Sequence, residues 1–231
     1  MSQSVLSAEN VVKHFAKRQS ILDRLRKREL FKVPAIDGVT LDLKAGETLG
    51  LVGESGCGKS TLGRTLVGLY TATDGTISLN GKRVDAERTL EERRSVQMVF
   101  QDPFSSLNPR MTVGEVLREA ISFHNLVPKE KVEERSLEIL SLVGLPMEAL
   151  KSYPRQFSGG QRQRIGIARA LALEPKILIA DEVVSALDVS VQASVVNLLM
   201  DLKRDLGLTM LFISHNIAVV DKLVIVLQLC T

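Results

Sequence analysis

Apolar positions recur along this chain with two periods, and the switches between them lay out the elements. Residues 5–15 carry enough β-branched and apolar side chains for a strand, and 38–43 alternate, with Val39, Leu41 and Leu43 on one face. Short, nearly unbroken apolar runs at 48–52, 96–100, 176–180 and 209–213 have the length of buried strands. Residues 76–79 lead into Asn80-Gly81, a pair that ends a strand in a tight turn. Helical spacing predicts helices over 62–69, 129–143, 159–173 and 189–206. Thr89 with Glu92 predicts a capping box on a short charged helix, and the stretch from Thr112 to Glu115 caps another that runs through Ala120. Strand and helix signals alternate except between 102 and 157, where helices follow one another and Gly144 and Pro146 stop the second. The pattern predicts a single α/β domain over 1–231. Its core, residues 1–101 and 158–231, is a mixed sheet with flanking helices and an N-terminal antiparallel β part. A helical subdomain is inserted at about 102–157.

Residues 17–32 are a basic insertion with Ile21, Leu22, Leu25 and Leu30 at roughly helical spacing. It is either a solvated amphipathic excursion or a contact for an acidic partner or lipid headgroups. The chain of 231 residues can bury one large core, or a core with a satellite lobe. A net charge of +3 is too small to argue for nucleic acid, and no nucleic-acid partner is expected. Asp221 and Lys222 interrupt the longest apolar stretch, so no run reaches the roughly 20 residues of a membrane span. Residues 1–10 lack the layout of a signal peptide, and Cys57 and Cys230 make no disulfide framework. These features fit a cytosolic protein.

The candidate chemistry begins at Gly53-Glu54-Ser55-Gly56-Cys57-Gly58-Lys59-Ser60-Thr61, between the strand at 48–52 and the helix at 62–69. G-x-x-x-x-G-K-S in that context is a phosphate-binding loop, the mark of a P-loop NTPase core. Its glycines let successive N–H groups converge on an anion, and the helix start adds unpaired donors. Lys59 is placed for β- and γ-phosphates, Ser60 for Mg²⁺ and Thr61 for the α-phosphate. Asp181 ends a buried strand, as does a carboxylate that bonds a Mg²⁺-bound water, and Glu182 can act as general base. Alone, that pair is equally an acidic strand end in solvent. Phe157-Ser158-Gly159-Gly160-Gln161 opens a helix with a hydroxyl and two glycines, either a flexible N-cap or a second anion site.

Taken together these motifs resemble the ATPase subunits of ABC transporters, in the branch that serves oligopeptide, dipeptide and nickel importers. The likeness runs from about residue 11 to 220. It rests on the phosphate loop, Gln101 as the Q-loop, Phe157 to Gln161 as the signature and Ile177 to Glu182 as the second nucleotide motif. Ser185-Ala186-Leu187-Asp188 matches the D-loop and His215 the switch histidine. Gln101-Asp102-Pro103-Phe104-Ser105-Ser106-Leu107-Asn108-Pro109-Arg110-Met111-Thr112 points to the peptide-importer branch. The resemblance implies ATP and Mg²⁺, with Phe15 stacking on adenine and Ser60, Gln101 and Asp181 around the metal. It gives Glu182 the attacking water, with Gln101 and His215 as further catalytic residues and His215 on the γ-phosphate. Ser158, Gly159, Gly160, Gln161 and Asp188 would meet the nucleotide of a second ATPase subunit, identical or paralogous, joined head to tail. It further implies transmembrane permease subunits docked on the helical subdomain, an external solute-binding protein acting indirectly, and a cytoplasmic place on the inner face of the cell membrane. His14 and His124 match no motif and are expected at the surface.

Two departures stand out. Val183 takes the place of the proline that the family carries after its glutamate, which removes a fixed φ and no functional group. After Val220 the expected helix and strand-turn-strand are shortened, as in a truncated or foreign tail. A second reading is a soluble ABC-type ATPase acting on DNA or ribosomes. No sustained heptads of the kind such DNA-repair relatives carry lie between Gln101 and Ser158. A third is an ATP-binding fragment with weak turnover.

Overall fold

The computed structural model describes residues 3–16, 32–102, 106–215 and 225–228, with Lys32 and 225–228 described by backbone alone. The basic insertion at 17–31, residues 103–105 of the run after Gln101, and the tail with Asp221, Lys222 and Cys230 lie outside the described residues.

Two sheets carry the chain. Strands β1 (Ser4–Ala16), β2 (Lys32–Lys44), β4 (Asp74–Leu79) and β5 (Lys82–Arg83) form an antiparallel sheet in the order β2-β1-β4-β5. Strands β3 (Thr48–Val52), β6 (Val96–Val99), β7 (Ile177–Asp181), β8 (Thr209–Ser214) and β9 (Ile225–Gln228) form a parallel sheet in the order β6-β7-β8-β3-β9. Helices α1 (Lys59–Leu66), α2 (Leu90–Ser95), α3 (Val113–Phe123), α4 (Val132–Leu142), α5 (Gly159–Leu171) and α6 (Val189–Leu206) complete the main elements. The α/β expectation, with its N-terminal antiparallel part, holds.

The parallel strands are buried on both faces, and their period of two divides the core. Ile177, Ile179, Leu211 and Ile213 face a cluster that includes Leu62 and Leu66 of α1 and Leu6, Leu41 and Leu43 of the antiparallel sheet. Leu178, Ala180, Met210 and Phe212 face the other way, into a cluster with Ile165 and Ile167 of α5 and Leu199 of α6. That second cluster continues without a break into Leu117 and Ile121 of α3 and Ile139 and Leu140 of α4. The helices between Gln101 and Ser158 are thus seated on the sheet by shared apolar contacts. Glu174 adds a polar tie, accepting from Arg94 of α2 at 2.7 Å and from Arg135 of α4 at 3.2 Å.

Several boundaries differ from the sequence reading for identifiable reasons. The helix after the phosphate loop starts at Lys59, not at 62, because Gly58 (φ 92°) turns straight into it, and Gly68 (φ 85°) ends it early. The strand read at 38–43 begins at Lys32. Pro34 and Gly38 look like breakers, but β2 is an edge strand, where a missing N–H removes no ladder bond. Residues 129–131 form a 3₁₀ turn before α4. Both boxes at Thr89 and Thr112 are present, each with the glutamate reaching back to the cap N–H. Within the tail, Ile225–Gln228 pairs parallel with Leu49 to Val52 as β9, a strand the sequence reading did not foresee.

Phe212 is 1% exposed in the middle of β8. Phe212→Ala is expected to lower unfolding stability by about 3–5 kcal/mol, read as a shifted midpoint in urea denaturation.

Candidate functional site

The residues with candidate chemistry gather at the carboxyl ends of the parallel strands, where open α/β sheets hold their ligands. Register brings them level: Val52 pairs with Ser214, Asp181 with Ile213, and Val99 with Ala180. The phosphate loop therefore leaves β3 beside the end of β8, Gln101 follows β6, and Asp181, Glu182 and His215 complete the row.

The loop itself is shaped by two glycines in the left-handed region, Gly56 at φ 87° and Gly58 at φ 92°. Gly58 also lies against β2: a Cβ there would stand 2.1 Å from the Ala35 carbonyl oxygen. Lys59 is buried, and its ammonium turns back on the loop, donating to the carbonyls of Gly53 (2.7 Å) and Glu54 (2.6 Å). Its Nζ lies 3.7 Å from Cys57 Sγ. Glu54, Ser55 and Gly56 are exposed on the rim, while Ser60 and Thr61 sit half-buried in the first turn of α1.

Ser60 Oγ donates to Asp181 Oδ1 at 2.8 Å, across the strand between β3 and β7. Asp181 is 1% exposed. Burial, the largest influence, pushes its carboxyl above the ordinary value, and the Ser60 bond and the charge of Arg64 only partly oppose that. With a folded-state value above the unfolded one, protonation favours the fold. This group's contribution to stability is present below the ordinary carboxylate pKa and lost as pH rises through the raised one.

Glu182 adopts φ 46°, rare for a residue with a Cβ. Its N–H donates to the Ile213 carbonyl at 3.0 Å, and its own carbonyl accepts from Ser185 Oγ at 2.9 Å and Ser185 N–H at 3.1 Å. Its carboxylate is largely covered, with Oε2 3.7 Å from His215 Nδ1. Gln101 Nε2 donates to Ser185 Oγ at 3.1 Å, so Ser185 links the Q-loop side chain to the Glu182 backbone. Sequence reasoning gave Ser185 no separate role, and spacing holds no signal for a bond across that separation. Val183, in the proline position, is 1% exposed and packs in the core. Burial anchors the loop where the fixed φ is missing.

Phe15 pairs across the antiparallel ladder with Val33, two residues from the Ala35 that abuts Gly58. The register thus carries the aromatic to the phosphate-loop side of the sheet. The signature residues stand on α5. Ser158 caps it, accepting from Gln161 N–H at 3.4 Å while Gln161 Oε1 accepts from Ser158 N–H at 3.0 Å. Gly160 is backed by Val191, whose Cγ1 would lie 2.4 Å from a Cβ, and Gly159 by Leu187 at 3.3 Å. Asp188 caps α6 next to them without a side-chain capping bond and is exposed. The signature and D-loop residues form one surface, and the phosphate loop, Asp181, Glu182 and His215 form another.

Residues 36–185 match the ABC transporter family. The chain belongs to that family. This ABC chain is 48% identical over 225 residues to the oligopeptide transport ATP-binding protein OppF of Bacillus subtilis (strain 168), covering 95% of itself and 70% of that protein. It is 47% identical to the glutathione import ATP-binding protein GsiA of Pectobacterium atrosepticum, covering 96% of itself but only 36% of the relative. Among solved structures, the dimeric post-hydrolysis state of the ATP-binding cassette MJ0796 bound to ADP and Pi superposes with TM-score 0.81 at 28% identity, over 96% of this chain and 93% of that one.

The ABC chain's own groups suit a magnesium nucleotide. The buried Asp181 lacks a full counter-charge, and Lys59 satisfies its donors on loop carbonyls, bonds that phosphate oxygens can replace. One carboxylate and one hydroxyl match a cation that takes its remaining ligands from water and phosphate. Gly58→Ala is expected to abolish ATP binding in calorimetry, because the new methyl meets the Ala35 carbonyl and the left-handed φ. Asp181→Asn keeps an acceptor for Ser60 and removes a buried charge. Without nucleotide it is expected to melt above the parent at pH 7, and a lower melting temperature would contradict the burial argument.

Proposed function

We propose that this chain is the ATP-binding and ATP-hydrolysing subunit that powers an ABC importer of peptides or similar small solutes. The observation that carries the reading is the buried Asp181 carboxylate bonded to Ser60 of the phosphate loop, with Glu182 beside it. Relatives named for oligopeptide transport and glutathione import support the substrate class. The division into a core, 1–101 and 158–231, and a helical subdomain, about 102–157, belongs to the same proposal.

In this reading Gly53 to Thr61 wrap the triphosphate, with Lys59 leaving its loop carbonyls for β- and γ-oxygens. Ser60, Asp181 and Gln101 would hold the Mg²⁺, which would neutralise phosphate charge when bound. Gln101 Nε2 is held meanwhile by Ser185 Oγ at 3.1 Å. Glu182 orients and deprotonates the water, and His215 contacts the γ-phosphate. Phe15 stacks on the adenine. Ser158, Gly159, Gly160, Gln161 and Asp188 form a surface for a second subunit's nucleotide, in keeping with a head-to-tail dimer, and a dimer is what the MJ0796 structure describes.

Among the described residues no helix is long and apolar enough to cross a membrane. In this reading permease subunits supply the path across it. An open groove of about 220 Å³ between the end of α1, β6 and α5 suits their cytoplasmic helices. Leu69 and Phe100 give it apolar floor, and Arg93 and Arg169 line it, without a carboxylate among its walls. The subunit then sits peripherally on the inner face of the membrane, and an external solute-binding protein acts on it through the permease.

Glu182→Gln is expected to retain ATP and accumulate a nucleotide-bound dimer, with phosphate release reduced by about 100-fold or more. Light scattering with Mg-ATP and a phosphate-release assay measure the two effects. Turnover equal to the parent's would take the hydrolytic role away from Glu182.

A further inference from the structure

Phe15 does not stand alone at the end of β1. Its ring meets Tyr70 edge to face, with centroids 5.3 Å apart and planes at 84°. Lys13 lies on the same face of the strand, two residues back, and its Nζ is 5.2 Å from the Phe15 centroid and 5.9 Å from that of Tyr70. The ammonium is fixed by the Thr71 carbonyl at 2.7 Å. Two further bonds complete the seam: His14 N–H to the Thr73 side-chain Oγ1 at 2.9 Å, and Thr73 N–H to the Val12 carbonyl at 2.7 Å.

The segment 70–73 directly follows the phosphate-loop helix. Leu69 and Tyr70 N–H both donate to the Arg64 carbonyl, at 2.8 and 3.1 Å, which folds the chain back along α1. The phosphate loop and the residues that grip the Phe15 strand therefore stand at the two ends of one helix. Phe15 remains 37% exposed, so its ring is oriented yet still open to a planar group. An aromatic pair in this geometry, with a cation held at both rings, fixes a ring that would otherwise sample rotamers. Fixing it in advance lowers the ordering cost of stacking a base.

We propose that Lys13 and Tyr70 are positioning residues for the base of the nucleotide, holding Phe15 in its stacking orientation from the loop that follows α1. The proposal rests on the reading of Phe15 as the residue that stacks on adenine.

Calorimetry of the full chain with Mg-ATP and, separately, with inorganic tripolyphosphate tests it. Phe15→Ala is expected to weaken ATP binding about tenfold, a typical loss for one base–aromatic stack. Tyr70→Ala and Lys13→Met are each expected to weaken it about threefold to fivefold. All three should leave tripolyphosphate affinity within twofold of the parent. Tyr70→Phe keeps the ring and should restore parental ATP affinity. Loss of ATP and tripolyphosphate affinity together would mark general damage to the phosphate loop and overturn the proposal. If Phe15→Ala weakens ATP while Tyr70→Ala or Lys13→Met does not, the positioning role falls and the base reading stands. If Phe15→Ala leaves ATP affinity unchanged, the base reading falls and takes this proposal with it.

Discussion

A carboxylate buried at the end of a parallel strand, with one hydroxyl as its hydrogen-bond donor, is the constraint on which the site depends. Asp181 ends β7 and Ser60 opens α1 after β3, and β8 lies between the two strands, so two strand spacings, about 10 Å, separate β7 from β3. Only the start of the helix, leaning over β8, can close that distance. This requires Gly58 to pass hard against Ala35, and that in turn requires β2 to be in place. The antiparallel sheet is therefore part of the phosphate site, although it carries none of the phosphate-loop residues. Burial at the centre raises the Asp181 pKa, and the Ser60 bond with the charges of Arg64 and Lys59 only partly offsets it.

Glu182 is held by a different device. A left-handed glutamate stores strain unless its neighbours over-determine it, and Glu182 is tied by Ile213 on one side and Ser185 on the other. Val183 and Val184, both buried, pin the following residues by packing. A proline would restrict φ directly, and a buried valine instead restrains the loop through its side chain. Ser185 also holds Gln101, so the Gln101 side chain and the Glu182 backbone share one hydroxyl. A ligand that draws Gln101 away leaves Ser185 with its bond to Glu182 alone.

Much of this was legible in the sequence because its signals are local. The parallel strands are short apolar runs, the phosphate loop is contiguous, and the capping boxes at Thr89 and Thr112 span three residues each. What stayed hidden depends on distance or on an edge. The first half of β2 looks like a loop until its place at the rim of the sheet is known. β9 is four residues of backbone with no flanking signal, and it pairs with a strand far back in the chain. The contact of Tyr70 with Phe15, and that of Gln101 with Ser185, join residues whose separation follows only from the sheet order.

The loop from Glu182 to Asp188 connects the two surfaces that the proposed dimer needs. At its start Glu182 and Ser185 face the phosphate loop and Gln101, and at its end Leu187 backs Gly159. Val191, one turn into α6, backs Gly160 so closely that no side chain fits there. The signature helix therefore cannot move far without carrying Leu187 and Val191 along. In the proposed head-to-tail dimer each signature would touch the other subunit's nucleotide, and the rigid backing of Gly160 would tie that nucleotide to the backbone of this chain's Glu182. Coupling of that kind needs no large motion inside the chain. A short loop anchored by buried Val183 and Val184, with a discrete set of hydrogen bonds, suffices, because packed cores shift between arrangements and do not deform continuously.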